Sequence, residues 1–293
     1  MCLIISYILA LQYGGLTKAW DSSVVVGLLV DSFAIFVTCI FWEIYQGERA
    51  MVVPRIFKKR EVWVSCIFQF FFSGTYFVVL FYLPIYFQSV FDLSPIGSGV
   101  RNLPFIILLT IAVTLQGPVL TKIGYFTPLM AIGAGLTAIG CGLFYILQVD
   151  TSVGKWVGYQ IFTGLVIGMT FQTTLTIVQS TSTSEDMSST AMIFCRAFLV
   201  SAAQSAFNNT IIRAAASTAS GINPALLLAT RATQIRTVFT SAQVPGVVAA
   251  YMTGIKVVFA ITIGASGFAS LFSLCGSWKK LHAEDLKNTG GGA

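Results

Sequence analysis

Apolar residues run along this chain in long uninterrupted stretches, with neither the period-2 alternation of half-buried strands nor a clear amphipathic stripe. Eight stretches approach the roughly 20 apolar residues that a helix needs to cross a bilayer. They lie at about 1–16, 24–44, 62–87, 99–120, 124–148, 156–178, 189–212 and 254–276. Pro84 falls inside the third and Pro104 inside the fourth, and the seventh is the most polar. This pattern predicts an all-α integral membrane protein of about eight transmembrane helices. Residues 213–253 form the one sizeable extramembrane segment. Asn223-Pro224 reads there as an N-cap followed by proline at the first helical position. Leu226, Leu227, Leu228, Ile235 and Val238 are interspersed with Arg231, Gln234 and Arg236. That suits either a helix lying on the membrane surface or a loop helix packed on the bundle. The polar tail after Trp278 is expected to be disordered.

Composition agrees with a lipid environment. Hydrophobic residues are 56% of the chain and charged residues 10%, against roughly a quarter charged in soluble domains. The net charge of +6 does not indicate nucleic acid, because the cations gather at the ends of apolar stretches rather than along one face. Arg49, Arg55, Lys58, Lys59, Arg60, Lys122, Lys279, Lys280 and Lys287 share one side, and Lys18, Arg101 and Lys155 the other. The bias predicts a multi-pass protein with both termini in the cytosol. No ordinary signal peptide is read at the start, which opens directly in an apolar segment.

Catalytic chemistry finds no footing. The one histidine, His282, lies in the polar tail, and no Gly-x-Ser-x-Gly elbow, phosphate-binding loop or His-x-x-x-His pair occurs. The six cysteines have no metal-type spacing, and most fall inside apolar runs, where they read as small buried hydrophobes. No enzyme activity, cofactor or metal is expected, and transport by this chain would draw on an ion gradient rather than ATP.

Polar groups inside the spans are the candidates for function, since in hydrocarbon they must pair or face a watery cavity. Gln69, Tyr76, Gln116, Gln172 and Gln204 are the candidate cavity residues, with interhelical hydrogen bonding as the alternative for each. Asp31, Arg101 and Arg196 are candidate intramembrane charges, although the arginines could also snorkel to headgroups. Glycines at 133, 135, 140, 142, 164 and 168 mark close helix approach, either static or as surfaces that rock during transport. Asn208-Asn209-Thr210 is a formal glycosylation sequon.

Several runs then resemble a known family. GPVLTKIGYFTP at 117–128 is similar to the degenerate second copy of the loop motif G-x-L-x-D-R-x-G-R-[RK] of the major facilitator superfamily. Gly117, Lys122 and Gly124 match, whereas Thr121 replaces the aspartate and Tyr125 and Phe126 replace basic residues. GERAMVVPRIFKKR at 47–60, FYLPIYFQSV at 81–90, GKWVGYQI at 154–161 and AFNNTII at 206–212 follow the order of the fungal fourteen-helix drug:proton antiporter branch. One departure is Leu199-Val200, where that branch has a Gly-Gly pair.

The resemblance implies that residues 1–44 are the linker helix pair and 45–61 a basic cytosolic loop. It makes 62–276 the C-terminal six-helix half and 277–293 a cytosolic tail. It covers the last eight of fourteen helices and so implies a truncated form. The function implied is proton-coupled efflux of a small organic molecule, a fungal secondary metabolite or toxin, across the plasma membrane. The alternative is a non-transporting remnant, or a membrane subunit that a partner completes. Expected partners are the organic substrate, the proton, the lipid bilayer, and a second copy or another chain covering the face of the missing half.

Overall fold

The structure, a computed structural model, describes residues 2–46, 60–181, 185–218 and 222–276. The basic loop at 47–59 and the tail from 277 lie outside these residues. Among the described residues every regular element is helical, and eight helices follow the predicted stretches. They are α1 (Cys2–Tyr13), α2 (Ser23–Gln46), α3 (Arg60–Phe91), α4 (Pro95–Ile123), α5 (Thr127–Tyr145), α6 (Val153–Thr181), α7 (Glu185–Thr218) and, after the connecting segment, α10 (Val244–Ser273). By length and composition α2, α3, α4, α5 and α10 suffice to cross a membrane, while α1 is a shorter apolar helix. Helices α6 and α7 are as long but more polar.

The bundle is organised around α10, which packs on α3, α5 and α7. Helix α6 lies against α4 and α5, α7 lies against α3, and α1 joins α2 to α7. Small residues set the closest approaches. A Cβ on Gly164 or Gly168 would sit 2.5 Å from the carbonyl oxygen of Phe105 or Leu109, so α4 and α6 touch backbone to backbone. Gly140 of α5 receives Thr163 of α6, and Gly133 receives Thr170. Gly142, in contrast, faces open space. Aromatic rings fill the rest of the core, with Phe68 stacked on Phe72 and Phe87 edge-on to Trp156.

The Leu199-Val200 departure has a packing counterpart. Gly74 of α3 lies directly opposite, where an added Cβ would be 2.5 Å from Leu199 Cδ2 and 2.6 Å from its Cβ. The bulk that α7 carries is accommodated by a glycine on α3.

The 222–243 segment resolves the two readings offered for it. Its short helices α8 (Pro224–Ala229) and α9 (Ile235–Val238), with a 3-10 turn between them, bury Leu227, Ile235 and Phe239 in the core. Tyr251 of α10 donates its hydroxyl to the Thr230 carbonyl at 3.1 Å. Arg236 meets Asp92 at 3.5 Å and donates to the Val90 carbonyl. The segment is packed on the bundle. Helix α10 also begins ten residues before the predicted span, because Pro245 sits in its first turn, where proline's missing N–H costs nothing.

Candidate functional site

The loop motif closes α4 and opens α5. Gly124 caps α4 in the left-handed conformation (φ 68°), its N–H donating to the Leu120 carbonyl, a geometry that glycine adopts without steric cost. Lys122 is exposed in the last turn, where a cation complements the helix dipole. Gly117 is exposed one and a half turns earlier.

Polar residues of α3 fall on two sides. Gln69, Ser73 and Tyr76 are four and three residues apart and therefore share a face. That face turns toward α6, since the Tyr76 ring lies 5.4 Å from that of Phe171. Gln69 is 5% exposed and Ser73 fully buried, yet both amide atoms of Gln69 and the Ser73 hydroxyl lack a hydrogen-bond partner. Gln172, next to Phe171, is half-buried. On the other side, Tyr82 donates its hydroxyl to Gln204 Oε1 of α7 at 2.9 Å, and Gln204 donates to Asn208 Oδ1 at 3.1 Å. Tyr82 is buried, Gln204 exposed and Asn208 half-buried. At about 100° per residue, Tyr76 and Tyr82 point roughly 120° apart. Helix α3 thus stands between two polar seams rather than beside one convergent cluster.

Gln116 has a different place. It is buried and donates to Thr173 Oγ1 at 3.1 Å, which puts it inside the α4–α6 contact as interhelical bonding.

The charges separate in the same way. Asp31 is exposed on α2 and accepts from the Ser6 hydroxyl at 2.8 Å, tying α2 to α1. The Arg101 guanidinium lies 4.9 Å from the Phe91 ring centre and 5.9 Å from that of Trp156. Rings at these distances hold a cation by their quadrupoles. The side chain of Arg196 lies outside the described residues.

Two features escaped sequence reasoning. Lys256 stands within three residues of the midpoint of α10, whereas a span starting at 254 placed it at the rim. The Val244-Pro245 pair was the signal that the helix starts earlier. A second polar cluster also lies between α4 and α6. Gln160 Oε1 accepts from the Phe105 N–H at 3.4 Å, just past the Pro104 break. Gln160 Nε2, Asn102 Oδ1 and Trp156 Nε1 are buried without partners, as is Thr163 Oγ1 on the side of α6 that meets Gly140 of α5. Among the described residues no group of three histidine, cysteine or acidic side chains could hold a metal ion.

Comparison with known proteins decides the family. The model of the Major Facilitator Superfamily matches residues 3–203. This chain is a member of the major facilitator superfamily. Among the superfamily's curated members it is 51% identical to "Probable efflux pump gsfJ" of Penicillium aethiopicum, over all of this chain and 54% of that protein. It is 49% identical to "MFS-type transporter grgE" of a Penicillium species, over 96% of this chain and 51% of the relative. It is 37% identical to "Dehydrocurvularin exporter" of Aspergillus terreus, over 93% and 49%. The chain spans about half the length of these relatives. Superfamily membership and the apolar helices make it a multi-pass membrane protein related to fungal efflux pumps, and the family names point to transport rather than catalysis.

Proposed function

We propose that this chain forms the C-terminal wall of a proton-coupled exporter of a small organic metabolite, in the plasma membrane with both termini cytosolic. The observation that carries the reading is the buried, unpartnered pair Gln69 and Ser73 on α3, in a helix whose opposite side holds the Tyr82–Gln204–Asn208 chain. Unsatisfied buried polar groups each cost about 1–3 kcal/mol. In a membrane protein such groups mark a path for water, ion or substrate. Alternating access supplies a state in which that path is wet. Static packing supplies none.

The relatives are about twice as long as this stretch, and a substrate path between two rocking walls requires the other wall. The test expresses the 293-residue chain in a pump-deficient host, alone and joined to the remaining portion of a relative. The joined protein should show uncoupler-sensitive efflux of small aromatic metabolites, and the chain alone none. Gln69→Ala should change efflux at unchanged abundance. Efflux indifferent to uncoupler would refute proton coupling, and uncoupler-sensitive efflux by the purified chain alone would refute the two-wall reading.

A second reading, a membrane subunit completed by a partner, is favoured by α2. Its Phe33, Phe41 and Tyr45 are 69%, 68% and 85% exposed, and it packs on α1 alone among the strong helix contacts. Disulfide trapping at Cys39, exposed on α2, distinguishes a protein neighbour from lipid.

A further inference from the structure

A groove of about 350 Å³ runs between α1, the α1–α2 turn and the far half of α7, apart from both polar seams of α3. Its α7 wall is made by Ala202, Ala206, Asn209, Thr210 and Arg213, spaced so that they share one face of the helix. Chemistry changes along it. Ala202 and Ala206, with Leu11 opposite, form an apolar trough that small side chains leave open. About 10 Å beyond Ala206, and about 16 Å beyond Ala202, at 1.5 Å per residue, stands Arg213. It is exposed and has no salt bridge among the described residues.

The mouth is rich in donors. Neither the Thr210 hydroxyl nor the Trp20 indole N–H has a hydrogen bond among the described residues, and Arg213 adds a guanidinium. Asn209 commits its amide N–H groups to the Ser205 carbonyl at 2.9 Å and the Gly14 carbonyl at 3.3 Å, and its carbonyl oxygen faces Gly15 of the turn, so it ties the turn to α7. The wall is fixed in shape. A Cβ on Gly14 would lie 2.6 Å from the Trp20 ring, and one on Gly15, at φ 76°, would collide with Asn209. The turn is thus folded tightly over α7, with Trp20 as a lid at the donor end.

We infer that this groove is a binding site for an amphiphile with one acidic head. The phosphodiester or carboxylate would lie on Arg213 and Thr210, and the tail along Ala202 and Ala206. A guanidinium beside a hydroxyl suits an acceptor-only anion. Arg213 lies near the end of α7 and Trp20 just before α2, a helix long and apolar enough to span, and arginine and tryptophan at such ends sit at headgroup level. The volume falls within the range of ligand sites. Anionic phospholipid is the occupant that meets a groove open to the bilayer. A free alkyl carboxylate shares the head chemistry.

The test uses the full chain in nanodiscs containing equal phosphatidylglycerol and phosphatidylcholine, followed by detergent exchange and mass-spectrometric counting of retained lipid. Phosphatidylglycerol should be retained about tenfold over phosphatidylcholine, the scale of one charge-assisted contact. Arg213→Gln should abolish the preference, and Ala206→Trp, which fills the trough, should abolish retention of both lipids. Thr210→Val, a small change that leaves the trough intact, should reduce the preference by about threefold. Arg231→Gln, an exposed cation outside the groove, should change nothing. Displacement by dodecanoate would identify the acidic head alone as sufficient, and failure to displace would identify the phosphodiester lipid. Equal retention of the two lipids, a preference surviving both Arg213→Gln and Thr210→Val, or equal loss with Arg231→Gln would overturn the site.

Discussion

The Gly74–Leu199 contact sets a measurable coupling between α3 and α7. In Gly74→Ala the new Cβ would lie 2.6 Å from Leu199 Cβ and 2.5 Å from its Cδ2. Carbon atoms settle at about 3.5–4.0 Å. Rotation of Leu199 can move Cδ2 but not Cβ, which is fixed to the backbone, so the helices must part by about 1 Å at this point. Overpacking of this kind costs about 1–3 kcal/mol. The same separation would stretch the Tyr82–Gln204 hydrogen bond, now 2.9 Å, beyond bonding distance, for a further loss of about 0.5–1.5 kcal/mol. Leu199→Gly removes both clashing atoms, so the double variant should recover the overpacking cost as a coupling energy of about 1–3 kcal/mol. Unfolding in mixed micelles, titrated with a denaturing detergent, measures all four corners of the cycle. Gly158→Ala, where nothing lies within 4 Å, supplies the helix-propensity gain of alanine over glycine, about 1 kcal/mol, to be subtracted. Additivity of the two substitutions to within about 0.5 kcal/mol would refute the account of how α7 tolerates Leu199.

Gln69→Leu removes two buried unpartnered atoms at nearly constant volume, and is expected to stabilise the chain by about 1–3 kcal/mol while lowering efflux of the joined exporter; a loss of stability in the same titration would show that Gln69 has a partner. Tags after Gly290 and near Gly47 are expected to be protected in intact cells and one near Ser220 accessible, and an accessible Gly290 tag would reverse the orientation. The Asn208 sequon lies inside α7, with its side chain accepting from Gln204. It should stay unmodified, as a mobility unchanged by glycosidase and by Asn208→Gln would show.

Helix number and approximate position were legible from the sequence alone because a bilayer imposes a length, and length is a local property. The α4–α5 connection was legible as a family loop at 117–128, but Gly124, placed at the start of the fifth stretch, is the left-handed cap that closes α4. The family, too, was carried by short local runs. What those residues do inside the bundle was not local. Gln69 and Gln116 look alike in an apolar stretch, yet one is buried without a partner and the other bridges α4 to α6. The difference is the rotation of each helix about its own axis, where one residue changes direction by about 100°. Arg101 met Trp156, fifty-five positions later, only when α4 and α6 closed backbone to backbone over Gly164 and Gly168. Leu199 became acceptable only opposite Gly74, and Lys256 moved from a rim to the middle of a helix once residues 222–243 had packed and left α10 to begin at Val244. Hydrophobic length determines that a helix forms and spans. The register between helices far apart in sequence decides which of its polar groups are bonded, which are bare, and which face a ligand.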